Sequence, residues 1–273
     1  QTHIAAYRRD NVDFFFFFVA KYLDHEDTYL SVAEALRSAA WAEGRKLSYD
    51  WIDAEKLTQT TKPLENVDGI LVPGGFGQRG VEGKIIAAQY AREHNVPYLG
   101  ICLGLQVAVI EFARHVAGLT EAHSTEFNQE TAAPVVHIMP EQIGVQLGGS
   151  MRLGDYDTHL VAGSVAERLY GASEITERHR HRYEVNNDYR DLLERKGLRI
   201  SGTSYNGKLV EVVELPEHVY FVASQGHPEF LSRPHRPHPL FSGLIKASIG
   251  ALPEKHERAT IDGNDKRREI KDL

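Results

Sequence analysis

The sequence predicts an α/β fold: a largely parallel central sheet flanked by helices, with an added C-terminal region of antiparallel strands. Three observations lead to it. Over the first 116 residues, short apolar runs alternate with stretches of helical periodicity, as strands covered by helices on both faces do. Glycine- and proline-rich turns end the strand-like runs, most clearly at Pro73-Gly74-Gly75. Between about 198 and 224, apolar runs follow one another with only turn residues between them, the habit of antiparallel strands.

The elements follow in order. Residues 14–20, FFFFFVA, read as a buried parallel strand; seven apolar residues fall far short of the roughly 20 that span a bilayer. Exposed, such a strand would be an aggregation hazard. Thr28–Glu43 is a predicted helix, with Leu30, Ala33, Leu36 and Ala40 at 3–4 spacing. Strands are predicted at 46–52, 67–72 and 96–101. Helices are predicted at 82–94 and at 103–116, the latter with Leu105, Val109, Phe112 and Val116 on one stripe. Residues 120–160 show few clear helices. Leu198–Thr203, Leu209–Leu215 and Val219–Ser224 read as strands, the first two joined by the hairpin signal Tyr205-Asn206-Gly207-Lys208. Leu240–Ile249 reads as a last helix. Residues 1–11 read as a linker or tag remnant and 12–252 as the working domain. Residues 253–273 carry 12 charges in 21 residues and read as a disordered tail.

Composition narrows the class of protein. Of 273 residues, 42% are hydrophobic and 25% charged, ordinary for a globular chain. The net charge of −7 argues against a general affinity for nucleic acid or for an anionic membrane. One cysteine allows no intrachain disulfide and fits a reducing, cytoplasmic setting. A lone cysteine is most often a small buried hydrophobe, so Cys102 needs further support before it is read as reactive.

Its context supplies that support. Gly100-Ile101-Cys102-Leu103-Gly104 places the cysteine between two glycines at a predicted strand-to-helix turn, where a side chain at either glycine would collide with the turn. At a helix N-terminus the exposed N–H groups favour thiolate over thiol, and the Leu103 N–H points toward a developing oxyanion. His227-Pro228-Glu229 ends another predicted strand. Alone it reads as a surface turn, but with a thiol it offers a base and a partner to orient it. Pro73-Gly74-Gly75-Phe76-Gly77 ends a third. Such a turn can cradle phosphate, but neither G-x-x-x-x-G-K-[ST] nor a G-x-G-x-x-G after the first strand is present. A second oxyanion donor, the Gly75 N–H, is the better reading. All three motifs fall at the predicted C-terminal ends of strands, where parallel sheets carry their sites.

P-G-G, then G-I-C-L-G-L-Q, then H-P-E, in this order, resemble the class I, triad-type glutamine amidotransferase family, with its flavodoxin-like fold. Longer stretches, PGGFGQRG from Pro73, STEF from Ser124, GGSMRLG from Gly148 and RHRHRYEVN from Arg178, resemble the amidotransferase domain of the CTP synthase family over about residues 18 to 250. The resemblance implies Cys102, His227 and Glu229 as a catalytic triad and Gly75 and Leu103 as oxyanion donors. It places Gly75, Phe76, Gln106, Glu126, Arg182 and Tyr183 at the L-glutamine site. Glu126 suits the α-ammonium of free glutamine and Arg182 its α-carboxylate, through a charge-assisted pair.

The same resemblance implies that ammonia passes to an N-terminal synthetase domain, expected to lie outside this sequence, which uses ATP and magnesium to aminate UTP to CTP. It implies no metal or cofactor in this chain and a homotetrameric full-length enzyme of pyrimidine nucleotide biosynthesis. An amidotransferase subunit of another biosynthetic enzyme, a stand-alone γ-glutamyl hydrolase and a non-catalytic α/β module are the competing readings. The 178–186 run weighs against the first two and the intact triad against the third. That run also has a competing reading as a nucleic-acid patch or solvated face; with the other motifs, substrate and interdomain contacts are the better reading, Arg178 and Arg180 facing the synthetase domain. Two departures from the family stand out: Ala20-Lys21-Tyr22 where the first strand commonly ends Gly-Lys-Tyr, and Gly226 where Phe commonly precedes the histidine.

Overall fold

Gly69–Val72, Tyr98–Ile101 and Phe221–Ser224 are buried at every position. Strands of that kind belong at the centre of a sheet covered on both faces, and the structure puts them there. The computed structural model describes residues 14–20, 29–139, 151–250 and 252. In chain order the principal elements are β1 (Phe14–Ala20), α1 (Leu30–Ala42), β2 (Leu47–Asp53), β3 (Gly69–Val72), α2 (Val81–His94), β4 (Tyr98–Ile101), α3 (Leu103–His115), β5 (Ala122–Ser124), β6 (Ala133–Ile138) and β7 (Arg152–Leu160). There follow α4 (Val165–Tyr170), β8 (Glu174–His181), β9 (Tyr183–Val185), α5 (Arg190–Arg195), β10 (Arg199–Ser204), β11 (Val210–Glu214), β12 (Phe221–Ser224) and α6 (Pro239–Ser248).

Nine strands form one sheet in the order β2-β1-β3-β4-β12-β11-β10-β7-β8, and β5-β6-β9 form a second. From β2 to β12 every neighbouring pair is parallel; from β12 to β8 every pair is antiparallel. The fold class is the expected one, and the antiparallel strands are not an appendage. They continue the same sheet, and β12 belongs to both halves.

Period-2 alternation divides the central strands between two cores. Ile70, Val72, Tyr98, Phe221 and Ala223 face α2 and α3, while Leu71, Leu99, Ile101 and Val222 face α1 and α6. Each fully buried Leu, Ile or Phe contributes about 1.5–3 kcal/mol. In the phenylalanine run, Phe16 and Phe18 are wholly buried in the second core, and Phe18 stacks on Trp51 with ring centroids 4.5 Å apart.

Several expectations change. Leu30 does not join the buried stripe of α1: it is 55% exposed, and Val32, Ala33, Ala35, Leu36, Ala39 and Ala40 face the core instead. The helix α3 is not amphipathic, because every residue from Leu103 to Ala113 is buried. Its Glu111 is accommodated by Arg92, whose Nε lies 3.1 Å from both carboxylate oxygens. Residues 120–160, read only as lacking clear helices, hold β5, β6 and β7. Asp155, Tyr156 and Asp157 are exposed in succession on both faces of β7, which hides strand alternation. The predicted linker 1–11, Lys21-Tyr22, Gly148–Ser150 and the predicted tail 253–273 lie outside the described residues. No helix among the described residues is long and apolar enough to cross a membrane.

Candidate active site

The strand-to-helix turn at Cys102 is built as its glycines suggest. A Cβ on Gly100 would lie 2.6 Å from the Gly104 carbonyl oxygen, and one on Gly104 would lie 2.2 Å from that of Val72. Cys102 itself takes φ +53° and ψ −101° as N-cap of α3. For a residue with a side chain this backbone costs on the order of 1–3 kcal/mol and is typical of functional turns.

The register of β4 and β12 brings the other motif alongside. Ser224 pairs with Ile101, so Cys102 and Gln225 leave the two strands side by side, and the Cys102 N–H donates to the Ser224 carbonyl at 2.7 Å. Two residues on, the His227 N–H donates to the Arg178 carbonyl of β8 at 2.7 Å. The ring nitrogen Nδ1 donates to Glu229 Oε1 at 2.8 Å, which turns Nε2 away from the carboxylate. Nε2 is buried and makes no hydrogen bond among the described residues. Burial works to lower the His227 pKa; the Cys102 sulphur and then Glu229 more than reverse this and raise it to about 10. Cys102, His227 and Glu229 are thus brought together and buried.

The Gly-rich turn after β3 covers them. A Cβ on Gly74 would lie 3.0 Å from His227 Cε1 and 3.5 Å from Cys102 Cβ, while one on Gly75 would lie 3.6 Å from Leu103 Cδ2. Gly75 and Leu103 are therefore neighbours at the elbow. A cavity of about 230 Å³ opens here. It is lined by Gly74, Gly75 and Phe76, by His227, Glu229 and Phe230, by Arg180 of β8, and by Tyr29, Ser31 and Val32 at the start of α1. Arg180 Cζ stands 5.5 Å from the centroid of the Phe76 ring.

The remaining predicted substrate residues, Gln106, Glu126, Arg182 and Tyr183, are not among those lining that cavity. Glu126 Oε1 accepts from the Gly77 N–H at 3.2 Å. Burial first, and then the Glu126 charge, raise the Tyr183 pKa while the Arg182 charge opposes them, so the three lie within electrostatic reach. Gln106 is buried in α3, with Nε2 directed at the Tyr183 carbonyl (3.0 Å) and at Gln225 Oε1 (3.3 Å). Gly226, where the resemblance expects Phe, packs on β8: a Cβ there would lie 3.0 Å from Glu177 Cβ.

Two groups escaped the sequence reading. Gln225 places Nε2 3.7 Å from Cys102 Sγ; only its position two residues before His227 at the end of a strand hinted at this. Beneath the turn, Arg152 Nη1 lies 2.6 Å from Glu211 Oε1 and about as close as a long hydrogen bond to His179 and His181 (3.4 and 3.5 Å). Donor atoms of His179, His181 and Glu211 lie within 4.8 Å of one another, a spacing compatible with a metal ion. The Arg152 guanidinium stands against all three and already supplies the positive charge.

Comparison with known proteins gives the family. The family model for class I glutamine amidotransferases matches residues 25–247. The chain belongs to the class I glutamine amidotransferase family. Within it, the chain is homologous to the glutamine amidotransferase domain of CTP synthases. It is 56% identical over 239 residues to the CTP synthase of Rubrobacter xylanophilus, covering 86% of this chain and 43% of that protein. It is 59% identical over 234 residues to that of Carboxydothermus hydrogenoformans, covering 85% and 44%. The chain therefore spans less than half the length of these relatives. Among solved structures, the glutaminase domain of Trypanosoma brucei CTPS with bound acivicin superposes with a TM-score of 0.83 at 40% identity, covering 89% of this chain and 96% of that one. A GMP synthase protein from Thermoplasma acidophilum, at 18% identity and a TM-score of 0.53, covers 87% of this chain and 95% of that one and shares the fold alone.

Proposed function

We propose that this chain hydrolyses L-glutamine to glutamate and ammonia through a thioester on Cys102. The observation that carries the reading is the buried line Glu229–His227–Cys102, with the imidazolium favoured by both neighbours. His227 takes the thiol proton. The sulphur attacks the carboxamide carbon, and the oxyanion meets the backbone N–H groups of Gly75 and Leu103. His227 then returns the proton to the departing ammonia. Water, deprotonated by the same ring, attacks the thioester; glutamate leaves and the thiol is restored. Glu126 and Arg182 hold the α-ammonium and α-carboxylate, with Phe76, Gln106 and Tyr183 around them.

In the full-length protein the ammonia passes to an N-terminal synthetase domain that aminates UTP to CTP with ATP and magnesium, within a cytoplasmic homotetramer. More than half the length of the CTP synthase relatives lies outside the match to this chain, which leaves room for such a domain. The chain itself is read as needing no metal or cofactor for the hydrolysis, because thiol, base and oxyanion donors complete the reaction.

The test is to mix the chain with the synthetase portion of a CTP synthase, UTP, ATP, magnesium and glutamine. CTP should form with the wild-type chain. With Cys102→Ala it should form only when ammonia is added. Equal CTP formation from glutamine with both chains would contradict the proposal.

A further inference from the structure

Two buried amides stand in line behind Cys102. Gln106 Nε2 is 3.0 Å from the Tyr183 carbonyl oxygen and 3.3 Å from Gln225 Oε1, and Gln225 Nε2 is 3.7 Å from Cys102 Sγ. The orientation of both amides follows from one group that cannot be turned round. A backbone carbonyl only accepts, so the end of Gln106 that faces Tyr183 is its NH₂. That NH₂ also faces Gln225, so the end of Gln225 it meets is the carbonyl oxygen. The Gln225 NH₂ is then directed at the sulphur. Reversing either amide would set donor against donor, or acceptor against acceptor, at sites only 3% and 0% exposed, where an unmet polar group is costly. The Tyr183 carbonyl is held by a second donor, His181 Nδ1 at 3.0 Å.

We propose that Gln225 is a catalytic residue whose Nε2–H donates to the Cys102 sulphur and stabilises the thiolate, with Gln106 as the positioning residue that aims it. A donor directed at sulphur favours the anion over the neutral thiol. The proposal rests on Cys102 as the nucleophile. It gives Gln106 a second task besides the substrate contact expected of it: with its NH₂ committed, only Oε1 can face glutamine. Among the described residues, the charged and titratable groups around Cys102 include His227 and Glu229 from the turn after β12, Arg180 from β8, whose carbonyl oxygen lies 4.0 Å from Sγ, and Lys84 from α2, whose Nζ lies near Gly75. Gln225 adds a neutral donor on the side of β12.

The test is the rate of alkylation by iodoacetamide as a function of pH. Cys102 is the sole cysteine, so the label reports one thiol. Gln225→Met should shift the alkylation profile upward by about one pH unit, roughly tenfold slower near neutrality. Gln106→Met keeps Gln225 but releases its aim, and should give a smaller shift in the same direction. Gln89→Met, on the solvent side of α2, should change nothing. Unshifted profiles in folded Gln225→Met and Gln106→Met overturn the proposal. Should Gln225→Met fail to fold, Gln106→Met decides: a shift supports the relay and none overturns it. Ammonia release from glutamine by Cys102→Ala at the wild-type rate overturns the nucleophile reading as well, an outcome distinct from the loss of the relay alone.

Discussion

The carbonyl of Arg178 accepts the backbone N–H of His227 at 2.7 Å, so β8, the last strand of the nine, is fastened to the turn that carries the proposed base. The antiparallel half of the sheet is thereby part of the site. It also explains the run from Arg178 to Arg182. Along a strand, Arg178 and Arg180 face outward, while His179 and His181 point into the core against Glu211 and Arg152.

That inward face has a measurable consequence. Burial first, then the Arg152 charge, lower the pKa of His179 to about 2 and that of His181 to about 3. In the unfolded chain each titrates near 6.5. Below that value the unfolded chain binds protons that the folded chain refuses, so stability is full above it and falls as pH drops toward 3. The slope is up to about 1.4 kcal/mol per pH unit for each histidine. Urea midpoints should fall between roughly pH 7 and pH 5, and less steeply in His179→Gln/His181→Gln. An equally steep fall in the double variant would contradict the assignment.

The elbow leaves no room for a side chain at Gly104, where a Cβ would lie 2.2 Å from the Val72 carbonyl. Gly104→Ala must push α3 from β3 and should cost about 1–3 kcal/mol or more. Thermal unfolding should move to lower temperature, and glutaminase activity should fall further than stability alone requires, because Cys102 moves with the turn. Wild-type activity in Gly104→Ala would count against the elbow.

In the proposed function Arg182 holds the α-carboxylate of glutamine. Losing a charge-assisted hydrogen bond costs about 1.5–3 kcal/mol, so Arg182→Ala should raise the glutamine KM roughly 10- to 100-fold. Hydrolysis of an activated ester lacking the α-groups should change little. Equal losses on both substrates would remove Arg182 from that role.

The sequence shows some of this architecture directly and hides the rest for physical reasons. Val67–Val72, Val96–Ile101 and Val219–Ser224 were legible because strands buried on both faces read as unbroken apolar runs. Cys102, His227 and Glu229 were legible as a set because three weak motifs fall at three strand ends. β7 was not, since Asp155, Tyr156 and Asp157 interrupt its alternation, and the six-residue α4 and α5 are too short to show a period. Gln225 carries no signal of its own. Its meaning comes from the pairing of Ser224 with Ile101, a register that only the folded sheet sets. Arg152, Glu211 and the two histidines come from three strands, β7, β11 and β8, and meet only in the folded sheet.

Cys102 as the nucleophile is tested by following ammonia release from glutamine, by the chain alone and with a synthetase portion present, while acid-quenched samples are digested and weighed by mass spectrometry. A glutamyl adduct should appear on the peptide that carries Cys102 during turnover, and neither adduct nor ammonia should form with Cys102→Ala. Ammonia released at the wild-type rate by Cys102→Ala, with no adduct on the wild-type peptide, would contradict thioester catalysis by this chain.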